Sequence, residues 1–386
     1  MAALGRTLKL ALLANMVTPH RIPVYLGLGD SFDLHVLHGG TENNRDYWRD
    51  LDKMLPNATV KRAWGWQIQT AKTQNGEFFD HRFLHITPGY IWHLLRFRPD
   101  VVISTEMGFR TLVSLAYGSL FRKPVWVWWG GTLHTERKID SVRRALRKVI
   151  SRWARHWISY GESSTDYLLS LNINRGDILQ IQNSVDEERF AAPAEPEFDL
   201  HSRPVLLHVG QLIGRKGVDL LLRAAASLQK EGYEFSVLLV GSGRDKQTLA
   251  RIAADLGIQN VHFQSSRPPN KMPSVYRSAD VLVFPTLEDV WGLVANEAML
   301  SGLPVLCSKY AGCAEELFCS DNIFDPSNPA DFVKKLRQAV SGELRKSDLS
   351  RLRTTPQIVG DLVQALQGSA HGTVDARGDV ETECGG

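Results

Sequence analysis

The chain has little cysteine: four residues in 386, at Cys307, Cys313, Cys319 and Cys384. No two form a C-x-x-C pair, and a chain of this length needs no covalent staples. Reduced thiols in a cytosolic protein are the expectation. Charge of one sign is also lacking. Against 45 Lys and Arg stand 42 Asp and Glu, and the net charge of +3 is too small to argue for a nucleic-acid partner. No apolar run approaches the roughly 18 residues that cross a bilayer. The segment "LKLALLANMV" (8–17) is read as a buried first strand rather than a signal peptide, because Lys9 adjoins the apolar run and no small-residue cleavage site follows. The dinucleotide fingerprint is incomplete. In "GSGRDK" (241–246), Gly241 and Gly243 are present, but Lys246 stands where the third glycine belongs. A nicotinamide cofactor is therefore disfavoured, although a tight turn of this kind can still line a diphosphate. The "DLD" at 50–52 imitates a metal-binding D-x-D, but its polar, helix-like surroundings make chance the better account.

What is present is an alternation of short apolar runs with longer periodic ones. "LKLALLAN" (8–15), "FDLHVLHG" (32–39), "DVVISTE" (100–106), "PVWVWWGG" (124–131) and "HWISYG" (156–161) read as strands. After the proline-rich 191–204 the pattern restarts with "VLLHVG" (205–210), "FSVLLVG" (235–241), "VHF" (261–263), "ADVLVFPT" (279–286) and "LPVLCS" (303–308). Such alternation implies βα units on parallel sheets. The expected division is a first Rossmann-like domain over 1–190, a linker over 191–204 and a second Rossmann-like domain over 205–345. A C-terminal helix over 346–367 would pack back on the first domain, and a disordered tail would cover 368–386. Two such domains enclose a cleft, and ligands of open parallel sheets bind beyond the carboxyl ends of the strands.

The chemistry-bearing residues sit at those ends. After "VLLHVG", Gly210 leads into "QLIGRKG", where Arg215 and Lys216 precede Gly217 and a helix start. Two cations at a helix N-terminus make an anion site, and a solvated basic turn is the plainer alternative. After "VLVFP", the loop 286–290 carries Glu288 and Asp289. Gly292 then lets the backbone approach a ligand, and a helix opens with Leu293 and Val294, whose N–H groups can face a phosphate. Glu297, one turn in, can accept two hydroxyls of the kind a ribose presents.

Together, "HVGQLIGRKG", "DVWGLVANEAMLSGLPV" and "AGCAEEL" make the second domain resemble the retaining glycosyltransferases of family 4, which have the GT-B fold. The resemblance implies two Rossmann-like doubly wound domains facing a cleft, with no divalent metal and no cofactor beyond a nucleoside-diphosphate sugar as donor. The family signature places two acids seven residues apart. Asp289 and Glu297 have that spacing, while Glu288 is one residue out of register. By resemblance, Glu297 binds the ribose, Asp289 holds sugar hydroxyls and Lys216 binds the diphosphate. The family commonly has an arginine where this chain has Gln211, which can hydrogen-bond a phosphate but carries no charge; Arg215 is placed to compensate.

The acceptor, a glycan or a lipid-linked glycan precursor, belongs to the first domain. His20 and Arg21, in the loop after the first strand, and Glu106, at the end of "DVVIST", are its candidate contacts. The family often puts a histidine just after the strand "PVWVWW". That position holds Trp129 or Gly130 here, and His134 is the candidate, with an ordinary surface histidine as the alternative. Asn183, in "QIQNSVD", matches a family N-x-V-D that joins the domains. The segment 138–157 reads as one helix with Ile139, Val142, Leu146, Val149, Ile150, Trp153 and Trp157 on one face and six Arg or Lys around the rest. It either packs on the sheet with a solvated basic face or attaches peripherally to an anionic inner membrane surface. A sugar-nucleotide epimerase and a non-catalytic sugar-nucleotide binder of the same fold are the alternatives to a transferase.

Overall fold

The computed structural model describes residues 6–40, 51–74 and 77–372. The first sheet holds seven parallel strands. They are β1 (Lys9–Ala14), β2 (Asp33–His38), β3 (Ala58–Arg62), and, after an antiparallel hairpin of β4 (Trp66–Gln74) and β5 (Glu77–Ile86), β6 (Val101–Thr105), β7 (Val125–Trp129), β8 (His156–Tyr160) and β9 (Ile178–Ile181). Their order is β3-β2-β1-β6-β7-β8-β9. β6 and β7 are buried at every position, and so is β1 beyond Lys9. Apolar runs without polar alternation suit strands covered on both faces. α1 (Ile22–Ser31) follows β1. α2 (Gly89–Phe97), α3 (Phe109–Phe121), the short α4 (Leu133–Glu136), α5 (Ser141–Trp153) and α6 (Gly161–Ser170) accompany the later strands, and α7 (Glu187–Ala191) leads out of the domain.

The second sheet is built from β10 (Val205–Val209), β11 (Ser236–Val240), β12 (Val261–Gln264), β13 (Val281–Phe284), β14 (Val305–Ser308) and β15 (Ile323–Phe324), in the order β12-β11-β10-β13-β14-β15. α8 (Val218–Lys230), α9 (Lys246–Asp255), α10 (Met272–Arg277), α11 (Leu293–Leu300), α12 (Ala314–Leu317) and α13 (Pro329–Val340) connect and cover it. In each sheet the strand order reverses once, between β1 and β6 and between β10 and β13. A crevice at the carboxyl ends of those pairs is the consequence.

The final helix, α14 (Thr355–His371), returns to the first domain and lies against α1. It buries Ile358, Leu362 and Leu366, and Trp126 Nε1 donates to Ser369 Oγ at 3.0 Å. The helix thus runs to His371, into the segment expected to be a disordered tail. The two chain crossings between the domains are tied to each other. Gln182 Nε2 donates to Arg351 O at 2.9 Å, Arg353 N donates to Gln182 Oε1 at 2.7 Å, and Thr355 N donates to Glu187 Oε1 at 2.6 Å.

The helix expected over 138–157 is corrected in two respects. It ends at Trp153, and Trp157 lies in β8, because Ala154 turns extended and the chain enters the sheet. Its apolar stripe is only partly buried. Ile150 and Arg147 face inward, whereas Val142 is 76% and Val149 51% exposed. Arg147 goes inward because partners wait there: Glu136 Oε2 accepts from its Nε at 3.0 Å, the Met107 carbonyl accepts from the guanidinium, and the Trp129 ring lies 4.5 Å from it. A paired, stacked guanidinium can be buried at a site where a lone charge could not. The expected D-x-D begins at Asp50, outside the described residues. Among the described residues no helix is long and apolar enough to cross a membrane, and no cluster of His, Cys, Asp and Glu could hold a metal ion.

Candidate functional site

Three loops meet at the β10/β13 crossover. The first leaves β10 at Gly210 and passes Gln211 to the turn of Arg215 and Lys216, with α8 following. The second leaves β11 at Gly241, which packs against the first; a Cβ there would stand 1.8 Å from Gly210 O, so no other residue fits. The third leaves β13, carries Glu288 and Asp289, and enters α11 through Gly292. Gly292 has φ 111°, and a Cβ would meet the Phe284 ring at 2.4 Å. Glycine is required on both counts. Leu293 and Val294 open α11, where backbone N–H groups have no preceding turn to bond.

The adjacent acids part company. Asp289 Oδ2 accepts from Lys216 Nζ at 2.5 Å and lies 3.6 Å from Arg215 NH1. Burial pushes its carboxyl pKa up, but Lys216 and Arg215 outweigh that and hold it below its ordinary value. The Glu288 carboxylate turns to the other domain and pairs with Arg137 at 3.5 Å, while its carbonyl accepts from Arg215 NH1 at 2.8 Å. The two side chains thus leave the loop in different directions, Asp289 to the Arg215–Lys216 turn and Glu288 to Arg137.

Glu297, partly exposed on α11, accepts from Tyr276 Oη at 2.6 Å. Burial raises its pKa to about 7, against the Tyr276 hydrogen bond and Arg189, which lower it. Tyr276, on α10, left no signal in the sequence, since it arrives from 21 residues away. Beneath the loop lies a second residue that sequence reasoning missed. His208 is fully buried on β10, and burial, then Lys216, push its pKa down to about 3, so it stays neutral below the cationic turn.

His134 reaches across the cleft. Its Nε2 lies 2.8 Å from Leu287 O and its ring stacks on Tyr310 at 4.2 Å, so it is part of the contact between domains. Desolvation, the largest influence, lowers its pKa. Further ties join the halves. Glu316 Oε2 accepts from Glu162 N at 3.0 Å and Glu316 Oε1 from Gln182 Nε2 at 2.8 Å, and Asn296 Nδ2 donates to Asn183 O at 3.1 Å.

On the first domain, Arg21 and Glu106 come together at the β1/β6 crossover, but with partners the sequence did not name. Arg21 donates to Tyr160 Oη at 2.5 Å and lies over Trp128, 5.1 Å from the ring centroid. His20, the residue before Arg21 on the same turn, lies 3.3 Å from Thr18 Oγ1. Glu106 adopts a left-handed φ of 62°. It is held there by Arg110 NH2 at 2.8 Å and Asn15 Nδ2 at 3.3 Å, both on Oε2, and by its own N–H to Trp128 O at 2.8 Å. A non-glycine residue in that region persists only when its surroundings over-determine it. Its side chain is still 63% exposed, so a pinned carboxylate faces the cleft. Desolvation pushes its pKa up, but Arg110 and Arg21 hold it below its ordinary value. Arg110 had one sequence signal, a cation four residues from an acid, which is the spacing of one helical turn.

Residues 194–353, less than half of the chain, match the family "Glycosyl transferases group 1". A D-inositol 3-phosphate glycosyltransferase of Corynebacterium kroppenstedtii is 33% identical over 181 residues, covering 44% of this chain and 40% of the relative. A GDP-mannose-dependent alpha-(1-6)-phosphatidylinositol monomannoside mannosyltransferase of Mycolicibacterium smegmatis is 34% identical over 145 residues, 34% of this chain and 38% of the relative. The lipopolysaccharide glucosyltransferase WaaG of Escherichia coli is 36% identical over 142 residues, 36% of this chain and 37% of the relative. The chain thus spans about two fifths of the length of these curated relatives. Among solved structures, Anabaena HepE in complex with UDP and glucose superposes with a TM-score of 0.65 at 15% identity, over 95% of this chain and 98% of that one. The lipopolysaccharide outer core galactosyltransferase WaaB, in its apo form, gives 0.64 at 16%, over 95% and 100%. The fold is GT-B, and its second domain carries the match to the group 1 glycosyltransferases.

Proposed function

We propose that this protein is a retaining, metal-independent glycosyltransferase of family 4. It would move a sugar from a nucleoside-diphosphate sugar to a glycan or lipid-linked acceptor in polysaccharide or glycoconjugate synthesis. The observation that carries the reading is the convergence of Lys216, Arg215, Asp289, the α11 N-terminus and Glu297 at one strand crossover that faces the other domain. In this reading Glu297 grips the ribose. Lys216, Arg215, Gln211 and the N–H groups of Leu293 and Val294 meet the diphosphate. As the C1–oxygen bond breaks, negative charge grows on the leaving diphosphate. Those fixed positive groups stabilise it more in the transition state than in the ground state.

Asp289 orients the sugar through its hydroxyls. His134 assists: with Nε2 donating to Leu287 O, its Nδ1 is an acceptor for a sugar hydroxyl. The acceptor oxygen forms the new bond to C1 on the face the diphosphate leaves, and its proton ends on the departing diphosphate. No base on the opposite face is then needed. Arg21, His20 and Glu106 line the acceptor's approach.

The test is turnover of UDP-, GDP-, ADP- and dTDP-sugars by purified protein, chosen after a thermal-shift screen of the nucleoside diphosphates. Release of nucleoside diphosphate from one of them without added metal is expected. Failure to hydrolyse or transfer any of the four would sink the enzyme reading.

A further inference from the structure

The β4–β5 hairpin and α2 hold large apolar side chains in solvent. Trp64, Trp66, Ile68, Leu84, Trp92 and Leu95 are between 48% and 63% exposed. Trp64, Trp66, Ile68 and Leu84 adjoin one another, and α2 starts beside Trp64. Ile68 pairs with Leu84 across the hairpin, and Trp66, two residues along, shares their face. The Trp64 ring meets Trp66 edge-on at 6.1 Å, and Trp64 O accepts from Gly89 N at the start of α2 at 3.1 Å. A soluble monomer seldom leaves such a patch uncovered unless something docks there.

Charge says what docks. In a chain with 42 Asp and Glu, and on a face of the first sheet where α6 carries Glu162 and Asp166, the helices α2, α3 and α5 contain neither. Arg96, Arg144, Lys148 and Arg152 are exposed on them. An apolar, tryptophan-rich edge beside three acid-free helices with exposed cations complements an anionic bilayer, where tryptophan seats at the headgroup level and lysine and arginine meet lipid phosphates. The hairpin has a second face. His85 points away from Leu84 by strand alternation and lies in the field of Arg110 and Glu106. One ribbon of backbone therefore separates the apolar patch from the acceptor cluster.

We propose that the hairpin and α2 seat this protein on an anionic lipid surface, with α5 supplying peripheral charge rather than the anchor. The inference rests on the transferase reading only for its purpose, delivery of a lipid-borne acceptor to Glu106. The experiment is sedimentation with sucrose-loaded phosphatidylcholine vesicles, with and without phosphatidylglycerol. Wild type should sediment with the anionic vesicles, less in high salt, and scarcely with phosphatidylcholine alone. The double variant Trp66→Glu, Trp92→Glu should lose at least about tenfold in bound fraction, while keeping the wild-type melting shift with nucleoside diphosphate. Brominated lipids should quench wild-type tryptophan fluorescence, a readout that needs no variant. Absence of wild-type binding to anionic vesicles, or unchanged binding by the double variant, would overturn the proposal. So would a patch whose substitution breaks a dimer without altering vesicle binding. No donor is present in these assays. Vesicle binding without sugar transfer would therefore sink the transferase reading alone, and transfer without vesicle binding would sink this one alone.

Discussion

The two domains repeat one plan with opposite handling of charge. In each, a cation follows the first strand of the crossover and an acid follows the partner strand: Arg21 and Glu106 in the first, Lys216 and Asp289 in the second. In the first domain the cations are committed. Arg110 bonds Glu106, Asn15 and the Thr105 carbonyl, and Arg21 is pinned between Tyr160 and Trp128. In the second, Lys216 pairs with Asp289 and lies over the Phe284 ring, beside a row of glycines and a helix N-terminus. Under the proposed function, the second half would bring positive charge to an anion, and the first would present a fixed carboxylate to hydroxyls.

The strongest way to break that contrast is to remove the offered charge. Lys216→Ala should lower kcat by about 10² to 10³, the range for losing one fixed group that stabilises a growing oxyanion. Equal loss from Arg21→Ala would erase the distinction between the halves. Next comes the acid pair. Asp289→Asn should cost roughly 100-fold in transfer, and Glu288→Gln under about fivefold, since the Glu288 carboxylate turns to Arg137 and the amide can still accept from that guanidinium. The reverse order in steady-state rates would shift the register by one residue. Smaller again, Arg110→Met frees Glu106 and should raise the acceptor KM by about tenfold, with donor hydrolysis unchanged. A fall in donor hydrolysis would place Arg110 on the wrong side of the comparison.

The least effect is on pH dependence. Glu297 has a folded pKa of about 7, above its ordinary value. The folded state thus holds a proton that the unfolded chain gives up earlier. Stability from this group is full below the unfolded pKa and is lost as pH rises to about 7. Nucleotide binding by the carboxylate runs the other way and should weaken below pH 7, by at most about tenfold per unit. Glu297→Gln should flatten both profiles in thermal melts and titrations. An unaltered slope would remove Glu297 from the ribose.

Much of this was legible in the sequence where the physics is local. β1, β6, β7, β10 and β13 are apolar runs too short for helices, Gly210, Lys216 and Asp289 lie in the loops that follow strands, and Glu297 lies about one turn into α11. What was hidden is long-range. Tyr276 meets Glu297, and Asn15 meets Glu106 across 91 residues. The hairpin went unread because its exposed Trp66 and Ile68 alternate with polar residues just as a half-buried strand would. Arg147 misled most: its spacing put it on a polar face, but Glu136 and Trp129 draw it inward.

The tie between the two chain crossings has a mechanical meaning. Two polypeptide passages bonded side by side, through Gln182 with Arg351 and Arg353 and through Glu187 with Thr355, work as a pinned axle rather than as a loose tether. A rotation of the halves would be centred on that line, where sliding or twist would break all three bonds. An opening about it would retrace the same arc on closing. His134 and Arg137 would come back to Leu287 and Glu288 in a single register each cycle.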